Sequence, residues 1–304
     1  MSHLIADAVE ASLTRSSWIR QMFEEGARLK AQHGEANVFD FSLGNPIAPP
    51  PAAVDEALQA VLREAGAGLH RYLPNAGLPE ARAHVAGELA AATGLPYGPE
   101  HVVMTCGAAG ALNIVLKAVL NPGDEVIALA PYFVEYGFYA QNHGGKLVTV
   151  PTDEAFQPDA EALRAAITPR TRALIVNSPN NPTGVVYPAA RLQALADVLR
   201  EASASYGRPI YLLSDEPYRH LVFDGVEVPW VSTLYAHALI LTSYSKDLGL
   251  AGERLGFVAV NPRIAGHAQL MDALVLANRV LGFVNAPALV QRILPLLGGA
   301  RVDV

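Results

Sequence analysis

The chain alternates short, continuous apolar runs with segments of helical spacing, and this alternation limits the possible fold more than any other feature. Seven runs predict strands, at 101–105, 125–129, 146–150, 172–177, 210–215, 238–243 and 254–260. Several are separated by helical patterns such as AAGALNIVLKAVL and AARLQALADVLREASA. Strands that are apolar along their whole length and alternate with helices are typical of parallel sheets. The sequence therefore predicts an α/β fold, with a mainly parallel central sheet sandwiched by helices.

The two ends of the chain depart from this pattern. The first segment holds a helical stretch, a short predicted strand in VFDFSLG and the proline-rich NPIAPPP, which cannot continue a helix or a central strand. We expect 1–49 to form an N-terminal arm and part of a small domain, and 50–278 to form the large domain. The segment 279–304 is helical in PALVQRILPLLGG and then closes no element, so we expect it to begin a C-terminal small domain that stays incomplete.

The composition excludes several classes of function. A net charge of −7 without a basic cluster argues against nucleic acid as the main partner. The single cysteine, Cys106, excludes an internal disulfide and a cysteine-built metal site, and we expect no metal. No run reaches the ~18 apolar residues of a membrane helix, and the N-terminus lacks the basic start and apolar block of a signal peptide. We therefore expect a cytoplasmic enzyme that acts on small molecules.

Polar and aromatic residues follow the predicted strands at their carboxyl ends, the edge where parallel sheets bind ligands. In chain order they are Gly107, Ala108, Ala109, Phe133, Asn181, Asp215, Tyr218, Ser243, Ser245, Lys246 and Arg254. Each taken singly has an ordinary explanation, such as a turn, a helix cap, a surface ion pair or core packing. Their joint occurrence predicts a site for an aromatic cofactor that carries a phosphate.

Lys246 is the most informative of these residues. The chain has four lysines, and the other three lie in ordinary solvated settings, whereas Lys246 lies among small and apolar residues. Desolvation and the charge of Arg254 would lower the pKa of its amine, so that it could act as nucleophile and base near neutral pH. Asp215 could keep a ring nitrogen protonated, and the turn at Gly107 could bind a phosphate at a helix N-terminus. An electron-sink cofactor such as pyridoxal phosphate requires this combination.

Three motifs carry a resemblance to a known family. NSPNNPTG, SDEPY and SYSKDLGLAGERLGF resemble the motifs of the class I and II, fold-type I pyridoxal-phosphate aminotransferases. The likeness extends from FSLGNP to GFVNAP and so covers most of the chain. It implies a homodimeric enzyme with pyridoxal 5′-phosphate as cofactor. The implied reaction transfers an amino group between an amino acid and a 2-oxo acid by a ping-pong Schiff-base mechanism.

The resemblance assigns the reaction to a small group of residues. Lys246 would form the Schiff base and shuttle the proton between the substrate Cα and the cofactor. Asp215 would pair with the pyridinium nitrogen. Asn181 and Tyr218 would contact the ring hydroxyl, and Phe133 would stack on the ring. Lys246, Asp215 and Tyr218 are thus the expected catalytic residues.

The remaining implied residues bind the phosphate and the substrate. The resemblance places the phosphate on Ala108, Ala109, Ser243 and Arg254, and the residue pattern adds Gly107 and Ser245. Tyr72 would reach the phosphate of the neighbouring subunit, so that the two active sites are shared, and Gly44 and Asn181 would lie near the substrate. Two features depart from the family pattern. The phosphate turn is Gly-Ala-Ala where hydroxyl residues are common, and the arginine that binds the substrate α-carboxylate, which lies in the C-terminal section of the family, is not in this sequence.

Several alternative functions are open at this stage. A lyase or decarboxylase of the same fold would use the same cofactor, because the outcome depends on which bond lies perpendicular to the ring. A non-catalytic regulator could keep the fold, although no helix-turn-helix segment or basic region accompanies it here. A nicotinamide-dependent enzyme would need G-x-G-x-x-G after an early strand, which the sequence lacks. The motifs do not specify which amino acid or oxo acid is used.

Overall fold

The structure is a computed structural model that describes residues 4–39, 44–46, 48–64, 66 and 68–303, with the backbone alone described at 14–21 and 23. It divides into two compact units, Met1–Pro46 and Ile47–Val304, which are described separately. The predicted assignment of 1–49, 50–278 and 279–304 to an arm, a large domain and a small domain stays a prediction.

The first unit consists mainly of one long helix. Helix α1 spans Asp7–His33 and ends where Gly34 takes a φ of 85°, with its N–H bonded to the carbonyl of Lys30 at 2.9 Å. Acidic residues in its first turn and basic residues in its last turn complement the helix dipole. The strand predicted in VFDFSLG lies mostly outside the described residues, and the described Val38 and Phe39 form no strand.

The described part of the second unit contains one seven-stranded sheet. Its strands are β1 (Val102–Thr105), β2 (Glu125–Ala130), β3 (Lys146–Pro151), β4 (Thr171–Asn177), β5 (Tyr211–Asp215), β6 (Ala238–Ser243) and β7 (Gly256–Val260). Their order is β1-β7-β6-β5-β4-β2-β3, and the pairs β6-β5, β5-β4, β4-β2 and β2-β3 are parallel. Strand β7 runs antiparallel to both of its neighbours. The mainly parallel sheet and all seven predicted strands are confirmed, with strand ends that differ by at most two residues.

Helices cover both faces of this sheet. They are α2 (Ala52–Glu64), α3 (Pro79–Thr93), α4 (Gly107–Val119), α5 (Glu135–Asn142), α6 (Ala160–Ala166), α7 (Ala189–Tyr206), α8 (Val231–Leu234), α9 (His267–Val280) and α10 (Ala288–Ile293). Strand β2 shows why its sequence is apolar throughout. Val126 and Ala128 pack in the cluster that contains α4 and α9, whereas Ile127 and Leu129 pack in the cluster that contains α6 and α7. Successive side chains point to opposite faces, so a strand covered on both sides must be apolar at every position.

The last described segment packs within the second unit. The predicted helix in PALVQRILPLLGG is confirmed only as far as Ile293, after which Leu294–Leu296 form a 3-10 turn. Pro295 explains the change, because it has no N–H to continue an α-helix. Leu294 and Leu297 are buried in the same cluster as Val54 of α2 and Val85 of α3. Within the described residues, no helix is long and apolar enough to cross a bilayer.

Candidate active site

The parallel register brings the predicted site residues to one edge of the sheet. Asn177, the last residue of β4, pairs with Asp215, the last residue of β5. Asp215 in turn pairs with Leu241, two residues before the end of β6, and Ser243 lies opposite Gly256 of β7. The side chains that follow these strands therefore share one edge, as the sequence predicts.

Asp215 is the buried charge at the centre of this edge. Its side chain is buried, and the Tyr136 hydroxyl donates a hydrogen bond of 2.6 Å to Oδ2. Burial raises the pKa of Asp215 to about 6, the Tyr136 hydrogen bond opposes that rise, and the charge of Glu216 adds to it. The other oxygen, Oδ1, is buried and has no hydrogen-bond partner among the described residues. An unpartnered buried carboxylate oxygen is costly, so this atom is suited to accept a hydrogen bond from a protonated ligand.

Tyr136 is a site residue that sequence reasoning missed. It lies on α5, is 1% exposed, and has a pKa raised well above the usual range by burial and by the charge of Asp215. It therefore keeps its proton and donates to Asp215 at any physiological pH. Phe133 packs edge-on against it, with ring centroids 5.6 Å apart. The only sequence signal was its position three residues after Phe133, because a buried tyrosine on a helix otherwise resembles ordinary core.

A second group of polar side chains lies beside Asp215. The amide of Asn181 lies 3.4 Å from the hydroxyl of Tyr218, so the structure brings together the two residues expected to contact a ring hydroxyl. Asn177, which the sequence analysis did not select, orders this group. Its Nδ2 donates to the main-chain carbonyl of Asp215 at 2.8 Å, and its Oδ1 accepts from the Asn181 N–H at 2.6 Å. Asn177 thus links the main chain of the buried carboxylate to the NNPTG turn.

The predicted phosphate turn forms the N-terminus of α4. Gly107 begins this helix with a φ of 70°, and Ala108 and Ala109 lie half-buried in its first turn. The Arg254 guanidinium lies against this turn, since a Cβ placed on Gly107 would be only 2.9 Å from Nη2. First-turn N–H groups lack partners within a helix and carry a partial positive charge. These amides and Arg254 together form a site for an anion such as phosphate.

Close packing of two glycines makes this arrangement possible. A Cβ on Gly256 would lie 2.4 Å from the carbonyl oxygen of Thr242 and 2.7 Å from the carbonyl carbon of Gly107. Only a residue without a side chain lets β7 approach β6 and the start of α4 this closely. Arg254 itself has a φ of 54°, a conformation that costs free energy in a non-glycine residue. The strain accompanies the placement of its side chain over the helix N-terminus.

Lys246 lies in the loop after β6, with Ser243 and Ser245 before it. Both serines are buried, and Lys246 is half-buried. Burial lowers the pKa of the Lys246 amine, and the positive charge of Arg254 lowers it further. Both causes are those expected from the sequence, and they increase the fraction of neutral amine near neutral pH.

Two further predicted residues, Tyr72 and Gly44, keep roles that stay predictions. Tyr72 lies in the loop between α2 and α3, where its side chain is 88% exposed. Gly44 lies in the first unit and is exposed, so its relation to the site stays a prediction. Among the described residues, no group of three or more His, Cys, Asp or Glu side chains could hold a metal ion.

Comparisons with known proteins give one consistent family. The family model described as "Aminotransferase class I and II" matches residues 36–294. The chain is similar to a "Probable aspartate/prephenate aminotransferase" of Thermus aquaticus, with 42% identity over 70% of this chain and 54% of that protein. It is also similar to an "Aspartate aminotransferase" of Pyrococcus horikoshii, with 32% identity over 90% of this chain and 66% of that protein.

A solved structure agrees with these matches. The crystal structure of an amino transferase from Eubacterium rectale superimposes with a TM-score of 0.95 at 39% sequence identity, over 99% of this chain and 77% of that chain. The chain spans 54% of the length of the Thermus aquaticus relative and 66% of the length of the Pyrococcus horikoshii relative.

Proposed function

The chain belongs to the class I and II aminotransferase family, and on that basis we propose that it transfers an amino group between an amino acid and a 2-oxo acid. One observation carries the proposal. A buried carboxylate with an unpartnered oxygen, a lysine of lowered pKa and an arginine over a helix N-terminus lie along one sheet edge. A phosphorylated pyridine ring with a reactive aldehyde requires each of these groups.

The cofactor of this family is pyridoxal 5′-phosphate, and the described residues fit it. A protonated ring nitrogen would donate to the unpartnered Oδ1 of Asp215. Arg254 and the first-turn amides of α4 would hold the phosphate, with Ser243 and Ser245 adding hydroxyl groups. Asn181 and Tyr218 are near each other and would both contact the ring hydroxyl.

The described side chains divide the chemistry among them. When bound, the cofactor supplies an electron sink for negative charge at the substrate Cα. Asp215 keeps the ring nitrogen protonated, and the Tyr136 hydrogen bond holds that carboxylate in place. Lys246 would hold the cofactor covalently, and once the substrate amine had taken its place, the freed Nζ would accept the proton from the substrate Cα. Its lowered pKa makes the neutral amine available for both tasks. Phe133 would pack on the face of the ring.

The substrate proposal rests on the names of the relatives. Three of them are called aspartate aminotransferase or aspartate/prephenate aminotransferase. We therefore take aspartate as the amino donor to test first, with 2-oxoglutarate as acceptor. A lyase or decarboxylase would release product without an added 2-oxo acid, so product analysis with and without the acceptor separates these reactions.

Covalent trapping tests the role of Lys246. Borohydride reduction of the protein loaded with pyridoxal 5′-phosphate should fix the cofactor on Lys246, as peptide mass spectrometry would show. The matched control is Lys117, whose side chain is exposed at the last turn of α4. An adduct on Lys117 instead, or no adduct at all, would overturn the assignment.

We also propose a homodimer with shared active sites. Tyr72 is 88% exposed and would reach the cofactor phosphate of the second subunit, and Leu276 and Val280 of α9 are each 59% exposed. Apolar side chains exposed to this extent are common at subunit interfaces.

Mixed dimers of a Lys246→Ala subunit and a Tyr72→Phe subunit test the shared site. Each mixed dimer would contain one doubly altered site and one unaltered site, so its activity should exceed that of either parent. Activity that only averages the parents, or an active monomer in sedimentation, would contradict the shared-site proposal.

A further inference from the structure

The residue directly after Lys246 is another buried carboxylate. Asp247 is 7% exposed, and its Oδ1 is buried without a hydrogen-bond partner among the described residues. Burial raises its pKa to about 6, and the charge of Arg301 opposes that rise. None of the chemistry assigned above uses Asp247. A buried acid adjacent to Lys246 therefore needs an explanation of its own.

A segment near the end of the described chain holds both the main chain and the side chain of Asp247. The N–H of Val302 donates to the Asp247 carbonyl at 2.7 Å. Nε of Arg301 lies 3.6 Å from Oδ2 of Asp247, and Nη2 of Arg301 lies 3.7 Å from Oε1 of Glu88 on α3. Arg301 thus bridges a buried carboxylate in the Lys246 loop and a partly exposed one on a helix.

Packing alone does not fix the Asp247 side chain. It lines a cavity of about 130 Å³, whose wall also includes Tyr244, His220 and Trp230. The Tyr244 hydroxyl is buried and has no hydrogen-bond partner among the described residues. Hydrogen bonds from the main chain of Asp247 and Leu248 also act on the carboxylate, and Arg301 is the cationic side chain that approaches it from the segment 300–302.

The other charged groups around Asp247 do not replace Arg301. Glu216 and Arg219 line the same cavity but form an ion pair with each other, and Arg219 also stacks over Trp230 at 3.5 Å. The pKa of His220 is lowered to about 4 by burial and by two nearby arginines, so it is neutral above that pH. Arg301 is therefore the cation that faces Asp247 in the described structure.

From these contacts we propose that Arg301 is a positioning residue for Lys246, acting through Asp247. The inference rests on the proposed function, because it takes Lys246 as the attachment point of the cofactor. With Arg301 in place, the carboxylate and the main-chain carbonyl of Asp247, the residue after Lys246, are both held against the segment 300–302. Without it, the buried carboxylate has no cation, and the loop must move to bring it to water or the acid must take up a proton.

The rate of cofactor dissociation tests this inference. The chain loaded with pyridoxal 5′-phosphate is mixed with an excess of an apoprotein that captures released cofactor. The decay of the visible absorption band of the loaded chain is then followed. Arg301→Met should release the cofactor roughly tenfold faster than the wild type above about pH 7, because the loop that carries Lys246 then holds a buried carboxylate without its cation and is less firmly positioned. The ratio of the two rates should approach one below about pH 5, where Asp247 is protonated in both proteins.

Three further variants separate positioning from general destabilisation. Arg301→Lys should restore most of the wild-type rate. Arg301→Met should have little effect when Asp247→Asn is already present, because no buried charge then lacks a partner. Arg208→Met is the matched control. Arg208 lies 3.7 Å from the buried Asp124 at the amino end of β2, and its side chain is 31% exposed, against 29% for Arg301.

The outcomes distinguish the two proposals. If the wild type binds the cofactor on Lys246 but Arg301→Met releases it at the wild-type rate at every pH, the positioning inference is wrong. The same holds if the effect is equal with and without Asp247→Asn, or if Arg208→Met gives the same pH-dependent ratio. If the wild type forms no covalent adduct on Lys246, the proposed function is wrong, whatever the release rates of the Arg301 variants.

Discussion

Replacing Tyr136 by phenylalanine would test how the chain controls its central carboxylate. The substitution keeps the ring that packs against Phe133 and removes the donor of the 2.6 Å hydrogen bond to Asp215. A hydrogen bond to a charged acceptor contributes about 1.5–3 kcal/mol. Because one pH unit corresponds to about 1.4 kcal/mol, the pKa of Asp215 should rise by roughly one to two pH units from its value of about 6.

The direction of the pH dependence follows from the burial of Asp215. Its pKa is about 6 in the folded protein and 3.8 for an ordinary aspartate. Between pH 3.8 and about pH 6, Asp215 keeps its proton in the folded protein but has released it in the unfolded chain. The contribution of Asp215 to the free energy of unfolding therefore falls as the pH rises. In Tyr136→Phe this fall should continue to a pH of roughly 7 to 8. The variant should lose little stability below about pH 5 and about 1.5–3 kcal/mol above about pH 8.

Urea denaturation of the cofactor-free protein across this pH range measures the effect. The difference in unfolding free energy between variant and wild type is the useful quantity, because groups such as Asp247 titrate alike in both proteins and cancel. Tyr139→Phe is the control. Tyr139 lies on the same helix, and burial raises its pKa to about 12, but its hydroxyl does not bond to Asp215 within the described residues. An equal loss of stability at every pH would mean that Tyr136 contributes packing alone and would refute the reasoning.

The other predictions concern single residues of the site. Asp215→Ala should reduce turnover per bound cofactor far more than cofactor retention, measured by kcat and by equilibrium binding, because an unprotonated pyridine is a poor electron sink. Lys246→Ala should abolish both amino transfer and borohydride incorporation. Arg254→Ala should weaken binding of pyridoxal 5′-phosphate by roughly tenfold or more in a fluorescence titration, and should weaken binding of unphosphorylated pyridoxal much less. Gly256→Ala places a Cβ 2.4 Å from the Thr242 carbonyl oxygen and should cost about 1–3 kcal/mol or more in urea denaturation, whereas Gly252→Ala, which meets no atom within 4 Å, should not.

The sequence by itself determined the layered α/β fold and the strands. A strand covered on both faces must be apolar at every position, so β2, β4 and β6 are visible as continuous runs. It also singled out Asp215, which ends such a run, and Lys246, which follows the end of another by three residues. The motif resemblance then assigned the phosphate-binding residues, whose roles stay predictions.

Only the tertiary structure decided which groups support those residues. Tyr136 and Asn177 look like core and turn residues in the sequence, and their hydrogen bonds to Asp215 depend on how α5 and β4 pack beside β5. Arg301 and Asp247 lie far apart in the chain, and no local pattern predicts that they meet. The physical reason is the same in both cases. Hydrophobic periodicity reports the burial of a single element, whereas a hydrogen bond or an ion pair between elements depends on register and packing that no single segment encodes.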